Sequence, residues 1–244
     1  ANGPLRVQVE LAALYPMIGD GMARLGRHGE IPVNWAALEE DVVLVYPGSL
    51  DDFVFEGLRW PGDYPEVRFR ANPFAPEAGG SDGSVADFLA ALTNPAVTWS
   101  VVPGAAFTLI YDGPLSATTV ELNGANEAVF YAAGQSSVAG RSTVWFNQNQ
   151  TIIEADFWLN ADLDWDTTGE PGRSELDAES VALHEFGHWL GLGHDTDPAA
   201  VMYFSLPTGS LRRELHPSDI AGISYVYPCA SEPCIPDIYV EPTA

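Results

Sequence analysis

The twelve residues His184-Glu185-Phe186-Gly187-His188-Trp189-Leu190-Gly191-Leu192-Gly193-His194-Asp195 constrain this chain more than any other stretch. On a helix, residues four apart lie one above the other, so His184 and His188 can present their imidazoles to one ion. Glu185 follows the first of them directly, which turns its carboxylate to the side where a water could be held and deprotonated. It is placed as a base, not as a ligand. Gly191 can adopt the left-handed conformation that ends a helix and redirects the chain, so that His194 swings back as a third nitrogen donor. Three neutral imidazoles leave the fourth position of a tetrahedral zinc open, which marks a catalytic rather than a structural site. H-E-x-x-H alone can arise by chance on a buried helix; Gly191 and His194 at fixed offsets make that accident negligible by comparison.

The helix carries its own start signals. Ser174-Glu175-Leu176-Asp177 fits a capping box, and Asp177 and Glu179 sit where carboxylates favour a helix N-terminus. A helix is therefore expected over residues 178–190, with Ala182, Phe186 and Trp189 as its core stripe.

The full string H-E-x-x-H-x-x-G-x-x-H resembles that of the metzincin metallopeptidases, in which a methionine turn follows. Pro198-Ala199-Ala200-Val201-Met202-Tyr203 is similar to that turn, and Leu215-His216-Pro217-Ser218-Asp219-Ile220-Ala221-Gly222-Ile223 to the closing helix of the matrixin (matrix metalloproteinase-like) branch. Thr151-Ile152-Ile153-Glu154-Ala155-Asp156-Phe157-Trp158-Leu159-Asn160 resembles a bacterial-type matrixin strand. The likeness covers roughly residues 60–228. It implies an α+β, zincin-like fold: a twisted, mostly parallel five-stranded sheet with an active-site helix and a C-terminal helix. It also implies zinc on His184, His188 and His194, Glu185 as general base, and Met202 as the hydrophobic floor beneath the metal. Leu183, Tyr203, Phe204 and Leu206 lie where the family builds the pocket for the side chain after the scissile bond, favouring apolar residues there.

Departures qualify the branch. Asp195 stands where matrixins usually carry Ser or Thr and the adamalysin branch carries Asp. Animal matrixins use extra histidines for a structural zinc, whereas the comparable strand here carries Asp156, and only His28 and His216 lie outside the motif; a second zinc is not expected. The position of a switchable tyrosine ligand, two after the methionine, holds Phe204, so Tyr203 reads as structural.

The chain has 244 residues, room for one catalytic domain and an appendage. The expected division is an N-terminal extension over 1–58, a catalytic domain over 59–228, and a tail over 229–244. The 34 acidic against 10 basic residues, all of these arginine, give a net charge of −24. Such a surface is repelled by phosphate backbones and anionic lipid, which disfavours nucleic-acid and membrane-surface roles. A secreted, extracellular, monomeric protein acting on protein or peptide substrates is expected. Cys229 and Cys234 read as a local disulfide closing the end of the domain, with two reduced thiols as the alternative. No run reaches transmembrane length, no signal-like apolar core opens the chain at Ala1, and no upstream cysteine that could plug the zinc is present.

Before the likeness begins, signals are mixed. Residues 7–14 suit a strand or a short helix, Asn34 a helix N-cap, and Ser49-Leu50-Asp51-Asp52 another capping box. Asp20, Asp51 and Asp52 are available carboxylates with no assigned role. The segment reads as a pro-segment over the cleft, an accessory subdomain, or a structural extension packed on the catalytic domain.

Strands are expected over residues 67–70, 107–111 (ended by Asp112-Gly113-Pro114), 128–131, 141–146 and 152–159, with a turn at 60–65. A helix capped by Ser84 is expected to run to about residue 92. By the resemblance, the strand over 141–146 is the sheet edge above the zinc, where an extended substrate pairs by strand addition; it holds no proline, and its stretch over 143–146 no charge. Trp145 and Phe146 are either core residues or substrate contacts. Asp162, Asp164, Asp166 and Glu170 form an acidic loop that could hold calcium or simply be solvated, since the EF-hand ligand series is incomplete.

The activity implied is zinc-dependent endopeptidase chemistry. One rival is a binding module with a vestigial zinc site, for which loss of Glu185 or a histidine would be the mark; neither is lost. The other is a zinc hydrolase of a non-peptide amide or ester, which a substrate panel separates.

Overall fold

The computed structural model of the chain describes residues 4–14, 53–73, 83–133 and 138–229. Twelve elements follow in order: β1 (Leu5–Leu14), β2 (Glu66–Ala71), α1 (Val85–Ser100), β3 (Thr108–Pro114), β4 (Asn126–Tyr131), β5 (Val138–Phe146), β6 (Ile152–Asn160), β7 (Trp165–Asp166), β8 (Leu176–Asp177), α2 (Ala178–Trp189), β9 (Ser205–Pro207) and α3 (Pro217–Val226). The capping signals at Asn34 and residues 49–52, and the carboxylates Asp20, Asp51 and Asp52, lie outside the described residues, as does His28.

The fold is α+β with a mostly parallel sheet. The five expected strands are β2 to β6, and β1 and β9 widen the sheet to seven in the order β3-β2-β4-β6-β5-β1-β9. The pairs β2·β3, β2·β4, β4·β6 and β1·β9 are parallel, while β5 runs antiparallel to both β6 and β1. Residues 5–14 resolve the strand-or-helix ambiguity in favour of strand. The period-two pattern wins because Val7, Val9 and Leu11, two apart, all pack on the core, Val9 partly buried between the two buried ones.

The free docking edge expected at 141–146 is not observed. β5 is covered by β1 from Leu5↔Phe146 through Leu11↔Gly140. The unpaired backbone of an edge strand is a template for any strand in reach, and the chain's own N-terminal segment meets that demand. Trp145 and Phe146 are both buried, as core residues would be.

Two other expectations fall short of the observed elements. α1 does not stop near residue 92 but continues through Pro95 to Ser100. A proline in a helix interior costs about 3 kcal/mol, and burial of Ala96 and Trp99 beyond it offsets that cost. β3 likewise does not end at Asp112 but runs through Pro114, with a register shift between Phe69 and Ala71 on its neighbour. Its place at the end of the sheet lets it carry a proline without losing a ladder bond.

α1 and α2 pack against each other on one face of the sheet, α2 crossing β5 and β6. Phe186 and Trp189 enter an aromatic cluster in which Phe157 and Phe69 lie 5.0 and 5.1 Å from the Phe186 ring. Ala182 is buried on the same helix, completing the expected stripe. This cluster fixes the rotation of α2, and hence the direction in which the opposite side of the helix presents its histidines. Val7, Leu11 and Leu58 belong to the same buried cluster as Phe186.

Candidate metal centre

α2 starts at Ala178, where the expected span of 178–190 begins, and Ser174 is not its cap. The N-cap is Asp177, whose carboxylate accepts from Ser180 N at 2.9 Å and is paired with Arg213. Residues 176–177 are drawn out as β8 against β7, so the chain cannot turn into helix at Ser174. The helix ends at Trp189, and Gly191 follows with φ +88. A side chain there would be strained twice over, since a Cβ would also lie 2.1 Å from Leu58 O.

The turn brings the three histidines together. His184 Nε2 and His188 Nε2 are 3.0 Å apart, and the His194 ring centre lies 5.2 and 5.0 Å from those of His184 and His188. One ligand atom from each falls within 4.8 Å of the others, and among the described residues no other group of three His, Cys, Asp or Glu side chains does so. His184 Nδ1 donates to Val201 O and His188 Nδ1 to Leu192 O, each at 2.7 Å. These bonds assign the proton to Nδ1 and leave both Nε2 lone pairs facing the common centre. His194 Nε2 is buried without a hydrogen-bond partner. Burial, reinforced by the neighbouring rings, holds His184 and His188 well below the usual histidine range, and burial alone brings His194 to about 4. All three are therefore neutral at physiological pH. Three converging neutral nitrogens, one with nothing else to bind, fit a zinc ion.

Glu185 is buried beside them. Ser142 on β5 donates its hydroxyl to Glu185 Oε2 at 2.7 Å and sits 3.0 Å from the Glu185 carbonyl, tying the carboxylate to the sheet. Met202 lies directly under the helix: a Cβ at Gly187 would be 2.2 Å from Met202 Sδ and 3.1 Å from Trp99 Cζ2. The glycine inside the motif is thus a close-approach position between the two helical ligands.

Three residues that hold this centre had no role in the sequence argument. Asp219 accepts from Val201 N at 2.8 Å and Met202 N at 3.1 Å, fixing the turn over which His184 is hydrogen-bonded. His216-Pro217-Ser218-Asp219 has the spacing of a cap, and Asp219 does serve the His216 N–H; its second task needs the fold. Arg212 donates to Ser205 O at 3.0 Å and Pro198 O at 2.9 Å, clamping both ends of the Met202 segment. Ser142 is the third. Asp195, whose identity blurs the branch, spends its carboxylate locally, accepting from Asp197 N at 2.8 Å and Ser218 Oγ at 2.6 Å.

The remaining expected residues divide. Leu183 and Leu206 are buried, Tyr203 is half-buried, and Phe204 is 36% exposed with its ring centre 6.5 Å from that of His194. Leu206 stands on β9, whose backbone is paired with β1. In the acidic loop, Asp166 accepts from Thr168 N at 3.1 Å and Gly169 N at 2.8 Å, so its carboxylate is already used by the chain. Asp156 is fully buried, accepts from Glu127 N at 2.8 Å, and is pushed up to about 8 by burial. Cys229 N donates to Gly104 O at 3.1 Å. Cys234 lies outside the described residues, and with it the expected pairing.

Comparison with known proteins agrees with this geometry. A family model described as Matrixin matches residues 129–228. The chain is 43% identical over 72 residues to metalloendoproteinase 1 of Glycine max, covering 30% of this chain and 23% of that one. It is 40% identical over 76 residues to metalloendoproteinase 2-MMP of Arabidopsis thaliana, covering 29% and 20%. Neutrophil collagenase of Homo sapiens is 38% identical over 88 residues, covering 34% and 17%. The chain thus spans between 17% and 23% of the length of these relatives. The matched stretch is matrixin-like and carries a zincin-type site. These relatives come from plants and an animal, and lend nothing to the narrower bacterial-type likeness.

Proposed function

We propose that this chain is a zinc-dependent endopeptidase. The observation that carries the proposal is the convergence of three neutral histidine nitrogens within 4.8 Å, with Glu185 on the same helix. His184, His188 and His194 would hold the zinc. When bound, the ion supplies Lewis acidity, polarising the scissile carbonyl and lowering the pKa of a water toward about 7.

The chain's own groups do the rest. Glu185 accepts the proton of the attacking water and returns it to the leaving amine. Ser142 keeps one carboxylate oxygen engaged and so fixes the direction in which the other can act. Asp219 and Arg212 hold the backbone of 198–205, and through Val201 O they hold the ring of His184. Leu183, Tyr203, Phe204 and Leu206 are proposed to form the pocket after the cut, giving an apolar preference. No charged side chain stands in residues 201–206 to anchor a peptide terminus, which favours internal cleavage.

The proposal extends to a secreted, extracellular monomer with a Cys229–Cys234 disulfide, and to 59–228 as the unit bearing the catalytic parts. Net charge −24 supports protein or peptide substrates over nucleic acid or anionic membrane. No described helix is long and apolar enough to cross a membrane.

The decisive experiment is zinc content combined with mass spectrometry of products from a peptide library blocked at both termini. One zinc per chain and internal cuts before Leu, Ile, Phe or Met are expected. Loss of all cleavage on blocking a terminus would overturn the endopeptidase reading, and charged residues after the cuts would overturn the pocket.

A further inference from the structure

We propose that Gly140 is a positioning residue for the general base: the side chain it lacks leaves a niche on β5 in which one oxygen of Glu185 lies, opposite the Ser142 hydroxyl that holds the other. This deepens the endopeptidase reading and rests on it.

The niche follows from spacing. Gly140 and Ser142 are two residues apart on β5, so both look toward the same face of the sheet, the one on which α2 lies. Val181 and Glu185 are four apart on α2 and stand one above the other. The two pairs meet. Ser142 Oγ is 2.7 Å from Glu185 Oε2, and a Cβ on Gly140 would lie 2.5 Å from Glu185 Oε1, 3.1 Å from its Cδ and 3.0 Å from Val181 Cγ1. Both carboxylate oxygens are thus referred to β5, one by a hydrogen bond and one by contact.

Nothing in the backbone asks for glycine at 140, because its φ does not fall in the left-handed region. Inside a strand a glycine weakens the ladder and marks a place where something approaches closely. Here the carboxylate is what approaches. β5 cannot retreat from it, since Gly140 is paired with Leu11 on one side and Leu159 on the other, both fully buried. α2 cannot retreat either, because Phe186 and Trp189 are packed against Phe157.

The terminal torsion of a glutamate is broad and roughly two-fold, so a carboxylate without such contacts samples many planes. Ser142 removes part of that freedom by fixing one oxygen. The bare Cα at 140 removes the rest, since it sets how far the other oxygen comes back toward the sheet. A methyl there would make that oxygen retreat by roughly 1 Å to reach ordinary contact at about 3.5 Å. A displacement of that size at a reacting group costs about 100-fold in rate.

The test has to separate the niche from plain packing, because an added methyl also meets Val181. In the zinc-loaded full chain, Gly140→Ala should lower kcat by roughly 10- to 100-fold at unchanged zinc content, with KM within about twofold. Gly140→Ala with Val181→Ala makes room on the valine side and should keep the loss of kcat; it also serves where Gly140→Ala alone does not fold. Glu185→Asp is itself slow, but it withdraws the carboxylate from the niche, so adding Gly140→Ala to it should cost less than about twofold further. Recovery of kcat on adding Val181→Ala, or an undiminished loss from Gly140→Ala on top of Glu185→Asp, overturns the proposal and leaves the glycine a packing residue. A readout independent of turnover is the NMR signal of the Glu185 carboxyl carbon in isotopically labelled, zinc-loaded protein, assigned by its loss in Glu185→Gln. It should move several times further in Gly140→Ala, with or without Val181→Ala, than in Val181→Ala; equal movement in all three overturns the proposal. A signal that moves as expected in a protein whose unaltered form cuts no peptide leaves the niche standing and removes the peptidase reading. Full cleavage by the unaltered and the Gly140→Ala proteins alike does the reverse.

Discussion

The metal centre and the strand β1 that closes the β5 edge of the sheet are built by opposite means. His184, Glu185, Gly187, His188, Gly191 and His194 fall within eleven residues, so helical periodicity and one left-handed turn suffice to assemble them. The cover pairs residues far apart in the chain; Gln8 and Thr143, which set its register, are 135 residues apart. Neither end carries a signature, because strand pairing is written in backbone groups that every residue shares. The comparison teaches that chemistry can be concentrated in a short string while the sheet beside it is completed from a distant one. Lesions in the string should therefore abolish function without disturbing the sheet, and lesions at the junction should change stability without touching the chemistry.

The largest expected effect is in the string. His188→Ala removes one of three nitrogens, and bound zinc under chelator competition should fall to a small fraction of the unaltered level. Retained affinity would take the metal away from this triad. Glu185→Gln comes next: the shape is kept but the water proton has no acceptor, so zinc should persist while turnover drops at least about 100-fold. Near-normal turnover at full zinc occupancy would move the base elsewhere.

Gly187→Ala measures how tightly the string is packed. In an open helix alanine is favoured over glycine by about 1 kcal/mol. Here the added methyl meets Met202 Sδ at 2.2 Å and the rigid Trp99 ring at 3.1 Å. Overpacking of that kind costs about 1–3 kcal/mol, so the sign should reverse and the melting temperature should fall by several degrees, at roughly 2–4 °C per kcal/mol for a chain of this size. A stabilised Gly187→Ala protein would mean that Met202 moves aside freely.

The same contrast explains what could be read in advance. The histidines, Glu185, the φ of Gly191, strands β2, β4 and β6 and the stripe Ala182, Phe186, Trp189 follow from period and spacing alone. Ser142, Arg212 and the second task of Asp219 do not, because each acts across the fold on a backbone atom or carboxylate far away in sequence. α1 outruns its expected end near residue 92 because burial of Trp99, beyond Pro95, offsets what the proline costs. The start of α2 falls at Ala178 as expected, with Asp177 as its N-cap, because β8 holds the two residues before it extended. The free edge at β5 was the costliest misreading: a strand without proline or charge is fit to accept a substrate, and equally fit to accept residues 5–14.

The smallest effect lies at a second junction, where residues 53–56 meet the turn between the second and third histidines. Glu56 N donates to Gly191 O at 2.9 Å, and Gly193 N donates to Val54 O at 2.8 Å. This backbone ladder carries the turn, but the Glu56 side chain contributes nothing to it: Oε2 is buried with no hydrogen-bond partner. Burial raises its pKa from 4.5 to about 8. A carboxyl whose folded pKa is raised contributes stability that is fully present below its unfolded pKa and is lost as pH climbs toward the folded one, because the folded state binds the proton more tightly. Stability should therefore decline between about pH 4.5 and pH 8 on account of this residue. Glu56→Gln abolishes that titration, so the difference between variant and parent should grow from pH 5 to pH 8 by on the order of 1 kcal/mol per pH unit, in the variant's favour. Thermal melts at the two pH values, on zinc-loaded protein to keep His194 in place, read the difference directly. A constant offset between the two proteins across that range would show that Glu56 is ionised in the folded chain, and that this junction is wetter than its burial implies.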